Sequence, residues 1–184
     1  MRTFIGIDFP RKLKEQIVEA QSYLKSISKK GRWKYIDNFH LTLKFLGEIE
    51  YDHVEKIKEV LTKNLESFSS FSLKIFSCGY FKGSKNALRV VYLKPDGDLD
   101  KLNNLYQIVE DSLYSIGFEK EKRDYTPHIT IAQDVILDEP FDKFKQYVEN
   151  YKFDLIPVES VILFLSEEID RKRVYTPLFE IKLK

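Results

Sequence analysis

One cysteine in 184 residues, Cys78, leaves this chain without an internal disulfide or a multi-cysteine metal site, as expected in a reducing compartment. It reads as a small buried hydrophobe. No stretch approaches the roughly 18 to 20 apolar residues of a membrane-spanning helix. The opening Met1 to Asp8 is too short an apolar run for a signal-peptide core. A soluble cytoplasmic protein with no membrane partner is therefore expected. Charge of one sign is also missing: 30 Lys and Arg stand against 29 Asp and Glu, a net +1. That argues against wrapping a long nucleic acid and neutralising many phosphates, and leaves room for a short acidic ligand. With 7 Gly and 6 Pro there is no linker or low-complexity segment. What remains, 43% hydrophobic residues, is enough for a full core, so residues 1–184 are expected to form one domain.

Two signatures of other chemistry are absent. Gly79 to Lys85 is basic and glycine-containing but lacks the spacing G-x-x-x-x-G-K-[ST] of a phosphate loop. No H-E-x-x-H helix or cysteine cluster offers zinc its usual three or four ligands. No cofactor is expected.

Histidine is scarce too, and two of the three lie in matching contexts. Phe39-His40-Leu41-Thr42-Leu43 and Pro127-His128-Ile129-Thr130-Ile131 share the order apolar, His, apolar, Thr, apolar, 88 residues apart. With three His and six Thr, two such coincidences arise by chance with a probability of roughly three in a thousand. The alternation is that of a half-buried strand, which sends Leu41 and Leu43 inward and His40 and Thr42 to the opposite face. The third, His53, reads as an exposed residue beside a helix start.

The remaining chain alternates strands and helices. Met1 to Asp8 predicts a strand, and Leu13, Ile17, Ala20 and Leu24 predict a helix from Pro10 to Lys29-Lys30-Gly31. The first motif strand ends at Gly47, and Asp52 with Glu55 suggests the cap of a second helix. Strands at Phe71 to Ser77 and Ala87 to Leu93 flank a long loop, Gly79 to Asn86. Asp96-Gly97-Asp98 opens a third helix that Gly117 closes. After the second motif come a short helix at Phe141 to Tyr147 and strands at Val158 to Leu165 and Val174 to Lys182. Each motif strand follows a strand and a helix and precedes a helix and two strands. This weak internal repeat predicts an α+β fold of two pseudo-symmetric lobes, each an antiparallel sheet with helices on its outer face, enclosing a cleft.

Residues two apart on a strand stand about 6.6 Å apart on one face, so each His-Thr pair can reach one small group. Two such pairs facing each other suit in-line displacement at phosphorus. One neutral imidazole takes a proton from water, a protonated one gives a proton to the leaving oxygen, and hydroxyls hold the charged oxygens. No metal is needed. Lys44 reads as sharing the face of His40 and Thr42, where it could complement phosphate. Arg89 and Arg123 are further candidate phosphate or nucleotide contacts, and Phe39, Phe81 and Tyr125 are candidates for stacking on an unpaired base.

These residues resemble the 2H phosphoesterases, and among them the bacterial and archaeal RNA 2′,3′-cyclic phosphodiesterases, also called 2′-5′ RNA ligases. The resemblance rests on both motifs and on Arg2 to Asp8, Trp33, Asn38 to Glu48, Gly79-Tyr80-Phe81, Leu88 to Tyr92, Gly117-Phe118-Glu119, Arg123 and Thr126 to Ala132. Gln133 and Tyr92 depart from the family pattern, which often carries Arg and Trp there. The resemblance implies a bilobal fold and opening of a terminal 2′,3′-cyclic phosphate to a 2′-phosphomonoester. His40 would be donor to the 3′-oxygen and His128 the base for water, with Thr42 and Thr130 holding the phosphate. The implied partners are RNA 3′ ends, tRNA fragments among them, or small cyclic nucleotides. Reverse 2′-5′ ligation is open to the same site, and a non-catalytic RNA-end-binding module is the alternative. A monomer is expected, since one chain supplies both motifs.

Overall fold

Alternating and helical patterns resolve into nine strands and four α-helices in a computed structural model that describes residues 1–184. In chain order they are β1 (Arg2–Asp8), α1 (Arg11–Ser26), β2 (Ser28–Trp33), β3 (His40–Glu48), α2 (Asp52–Leu65), β4 (Phe71–Lys82), β5 (Leu88–Gly97), α3 (Leu99–Tyr114), β6 (Ile129–Leu137), α4 (Phe141–Asn150), β7 (Ile156–Val158), β8 (Ser160–Ile169) and β9 (Lys172–Lys182). None of the helices is long and apolar enough to cross a membrane.

The helices follow their apolar stripes. Leu13, Ile17, Ala20 and Leu24 are buried on α1, and Ile57, Leu61 and Leu65 on α2. The α1 stripe ends sooner than expected. Ser28 turns its hydroxyl back to the Leu24 carbonyl at 2.6 Å, and Ser28–Trp33, read from sequence as a helix end, becomes β2 paired with β6. Asp98 caps α3 by accepting from the Lys101 amide at 3.2 Å. Asp52 caps nothing; Tyr51 holds the cap position of α2, and Asp52 pairs instead with Lys56 one turn on. The first half of the expected loop Gly79 to Asn86 is strand, because β4 continues to Lys82 and the hairpin closes over Gly83 to Ala87.

All strands pair antiparallel, in two sheets ordered β3-β1-β8-β9 and β2-β6-β5-β4-β7. Each sheet carries one motif. Helices α2 and α3 cover the first sheet, α1 and α4 the second. The two halves of the sequence are not the two lobes, however. Hairpin β4-β5 of the first half completes the sheet of the second motif, and β8-β9 of the second half completes that of the first. In the second sheet hairpin β4-β5 pairs directly with the motif strand β6, whereas in the first hairpin β8-β9 pairs with β1 and the motif strand β3 stays at the sheet edge. The exchange ties the lobes through one continuous core that includes Leu41, Leu43, Ile129 and Ile131, each at most 3% exposed.

Candidate active site

The two motifs share an irregularity that strict alternation does not foresee. On β3, Thr42 lies opposite Gly6 and Lys44 opposite Ile5, so Leu43 has no partner and bulges. On β6, Thr130 lies opposite Tyr92 and Ala132 opposite Val91, so Ile131 bulges in the same way. A bulge after each threonine resets the side-chain alternation. His and Thr keep one face, and the residue two places beyond Thr turns inward. Lys44 is thereby carried off the face assigned to it from sequence. It is 6% exposed, its ammonium lies 2.6 Å from Glu110 Oε1 on α3, and it donates to the Glu119 carbonyl at 2.8 Å. The equivalent place in the second lobe holds the buried Ala132.

Both histidines are anchored alike. His40 Nδ1 lies 2.8 Å from the carbonyl of Asn38, and His128 Nδ1 2.8 Å from that of Thr126, in each case two residues back. A carbonyl only accepts, so Nδ1 carries the hydrogen in both rings and Nε2 is the atom left for chemistry. The His40 Nε2 accepts from the Thr42 hydroxyl at 2.9 Å. The His128 Nε2 has no protein partner.

Their surroundings differ. His40 is packed by Phe4 at 4.7 Å and edge-on by Tyr175 at 5.1 Å between ring centroids, with Phe164 stacked on Phe4 behind. Burial is the main reason its pKa falls from 6.5 to about 3. The positive charge of Lys34 adds to that, and Lys14 and the second histidine, His128, do so more weakly, while the Asn38 carbonyl opposes them. Lys14 also binds Asp8, which lies opposite His40 on β1, at 2.6 Å. His128 is half-buried, flanked edge-on by Phe81 at 5.6 Å and Tyr92 at 5.4 Å. Tyr92 stands over Gly79 so closely that a Cβ there would lie 2.8 Å from its hydroxyl.

The other residues singled out from sequence scatter. Phe81 lies beside His128 as described. Phe39 is wholly buried and unavailable for stacking, because it closes the 3₁₀ turn Ile36–Asn38 into the core. Tyr125 stacks face to face on Tyr106 at 4.1 Å and donates its hydroxyl to the Thr42 carbonyl at 3.0 Å, so it braces β3 against the α3–β6 connection. Arg89 is exposed and stands at a bulge of the β4–β5 hairpin, because Phe81 lies opposite Val90 and Lys82 opposite Leu88, which leaves it without a partner on β4. Arg123 is exposed, its guanidinium 3.4 Å from Glu121, in a polar groove with Asn103, Asn104 and Gln107. No group of three or more His, Cys, Asp or Glu side chains is assembled as metal ligands would be.

Sequence reasoning missed Lys34, Phe4, Phe164 and Tyr175. Lys34 follows β2, donates to the Tyr175 hydroxyl at 3.2 Å and sits over that ring, with no carboxylate partner. Its place after Trp33, seven residues before the motif's Leu41, was a local hint. Tyr175, 141 residues away from Lys34, had none.

Comparison with known proteins bears on the family and the fold. The family described as LigT like Phosphoesterase matches residues 7–92. The RNA 2′,3′-cyclic phosphodiesterase of Thermotoga maritima is 34% identical over 179 residues, covering 96% of this chain and 86% of that protein. The enzyme of the same name from Methanocaldococcus jannaschii is 35% identical over 152 residues, 83% and 82% of the two chains. Among solved structures, that of E. coli LigT complexed with 3′-AMP superposes with a TM-score of 0.77 at 24% identity, covering 99% and 97%. TT0787 of Thermus thermophilus gives 0.76 at 22%, covering 100% and 98%.

Proposed function

This chain belongs to the LigT-like phosphoesterases, and we propose that it hydrolyses RNA 2′,3′-cyclic phosphate ends to 2′-phosphomonoesters by paired-histidine acid-base catalysis. The observation that carries this reading is the matched anchoring of His40 and His128, each with its Nε2 left for chemistry, on motif strands β3 and β6 that pack against each other. Relatives named for this activity, and a similar fold solved with 3′-AMP, support a nucleotide end as substrate.

In the proposed reaction, water attacks phosphorus as the bond to O3′ breaks. One Nε2 takes the water's proton and the other, as imidazolium, gives a proton to O3′. Thr42 and Thr130 donate to the nonbridging oxygens where negative charge builds. Thr42 now donates to His40; turning to the phosphate, it frees that Nε2. The resemblance assigns His40 as donor, but its surroundings favour the reverse. Enclosed by Phe4 and Tyr175 and facing Lys34, it is held neutral, as a base must be, whereas His128 lies at the more open side, where the leaving oxygen can reach it. The same site, run backwards with a 5′-hydroxyl in place of water, would give a 2′-5′ linkage.

The test is an RNA oligonucleotide ending in a 2′,3′-cyclic phosphate, incubated with the protein in EDTA. The expected product is a 2′-phosphate. A 3′-phosphate would reverse the leaving group, loss of turnover in EDTA would end the metal-free scheme, and tight binding of a nucleoside 2′-phosphate without hydrolysis would make the protein a binding module.

A further inference from the structure

Lys14, Lys34 and Lys44 lie around the first motif, and two of them are neutralised. The Lys14 ammonium is 2.6 Å from Asp8, and that of Lys44 is 2.6 Å from Glu110. Lys34 is half-buried and has no carboxylate; its ammonium donates to the neutral Tyr175 hydroxyl at 3.2 Å. A cation partly withdrawn from water without a counter-ion is costly, so such a position favours an anion. The backbone of Lys34 is firmly held. Trp33 pairs with Ala132, the Lys34 amide donates to the Ile131 carbonyl at 3.0 Å, and Gln21 of α1 donates to the carbonyls of Lys34 at 2.8 Å and Ile131 at 2.7 Å. Ile131 is the bulged residue next to Thr130. The main chain of Lys34 thus belongs with the second motif, while its ammonium reaches Tyr175 on β9 of the other sheet, whose ring meets that of His40 at right angles.

We propose that Lys34 is a further catalytic residue of this site, its ammonium donating to a nonbridging oxygen of the cyclic phosphate, with the Tyr175 hydroxyl as its positioning partner. This rests on the cyclic phosphodiesterase reading above. Negative charge on the nonbridging oxygens grows as water adds to phosphorus, and a cation already fixed in place stabilises it without reorganisation. The threonine hydroxyls are neutral donors; Lys34 supplies the positive charge they lack. The Tyr175 hydroxyl accepts from the ammonium and keeps its own hydrogen, so it orients Lys34 without neutralising it.

Lys34→Met and Lys34→Arg test this on uridine 2′,3′-cyclic phosphate and on the two diastereomers of its cyclic phosphorothioate, which place sulfur at one or the other nonbridging position. Lys34→Met should lower kcat on the phosphate about 10²- to 10³-fold, the loss expected for one donor to a developing oxyanion, with KM changed less. Lys34→Arg, which keeps the charge, should recover much of that rate. Sulfur is a poor hydrogen-bond acceptor, so the ratio of the two diastereomers' rates should change several-fold between the wild-type protein and Lys34→Met. Because that ratio compares two substrates on one protein, partial unfolding of a variant leaves it unaltered. An unchanged ratio overturns the contact; if the acid limb of the pH–rate profile moves to higher pH in the same variant, Lys34 acts only through its field on His40. If the wild-type protein hydrolyses no cyclic phosphate, the catalytic reading fails by itself. Lys34 is then judged by equilibrium binding of uridine 2′-monophosphate. Weakening of roughly ten-fold or more in Lys34→Met, with affinity kept in Lys34→Arg, supports the phosphate contact, and equal affinity in Lys34→Met and the wild type overturns it.

Discussion

The same five-residue grammar builds two unlike environments. At His40 and His128 the backbone is nearly identical: Nδ1 to the carbonyl two residues back, then a threonine, then a bulge. The neighbours differ. Across from Thr42 the adjoining strand offers Gly6, and His40 leans over it, its Cδ2 3.6 Å from where a Cβ would stand, into the company of Phe4 and Tyr175. Across from Thr130 stands Tyr92, whose ring occupies that space and leaves His128 at the open side. Past the bulge, one lobe buries the ion pair of Lys44 and Glu110 and the other the methyl of Ala132. A duplicated motif thus supplies two imidazoles with fixed tautomers, and the sheets around them enclose the one and leave the other at the open side.

The comparison breaks most visibly on the histidines. His40→Ala and His128→Ala should each lower kcat about 10²- to 10⁴-fold on a cyclic phosphate. With sulfur in place of the bridging 3′-oxygen, a leaving group that needs no proton, His128→Ala should recover most of its rate and His40→Ala should not. Recovery in His40→Ala alone would restore the roles implied by family resemblance.

The Lys44–Glu110 pair, side chains 5% and 3% exposed, is the next largest contrast. Lys44→Met leaves Glu110 buried and uncompensated and should cost about 3–5 kcal/mol in urea unfolding. The double variant Lys44→Met/Glu110→Leu should recover most of that stability. It should still lower kcat, because Glu110 Oε2 also accepts from the Glu121 amide at 2.9 Å and Lys44 holds the Glu119 carbonyl, both on the connection that leads to His128. Full activity in the double variant would reduce the pair to packing.

The third contrast is in pH dependence. The unfolded chain takes up a proton on His40 near pH 6.5, whereas the folded one does so only near 3. Between those values the unfolded state binds more protons, so this group's contribution falls as pH drops from about 6.5 towards 3 and is full above that range. His40→Asn should flatten the acid limb of the stability curve, and the His40 ring should remain neutral at pH 5 by NMR. Protonation of His40 above pH 6 would contradict the enclosed environment described.

The motif pair, the α+β class, the buried stripes of the helices and the family itself could be read from the chain, because each depends on periodicity or on residues near in sequence. The positions of Leu41, Leu43, Ile129 and Ile131 in the core followed from alternation alone. Alternation also misplaced Lys44, since a bulge depends on the register between strands and leaves no mark on the strand that carries it. Phe39 was misread for a related reason: an aromatic residue near a motif looks the same whether the fold turns it to the cleft or into the core.

Tertiary structure alone decided the rest. Which hairpin completes which sheet, and hence that Tyr175 and Phe164 of the last strands enclose a histidine near residue 40, is set by edges seeking partners across more than a hundred residues. So is the proton affinity of His40. It depends on burial and on Lys34 and Lys14 brought close by the fold, contributions that a sequence contains only as residues and that geometry turns into an electrostatic field.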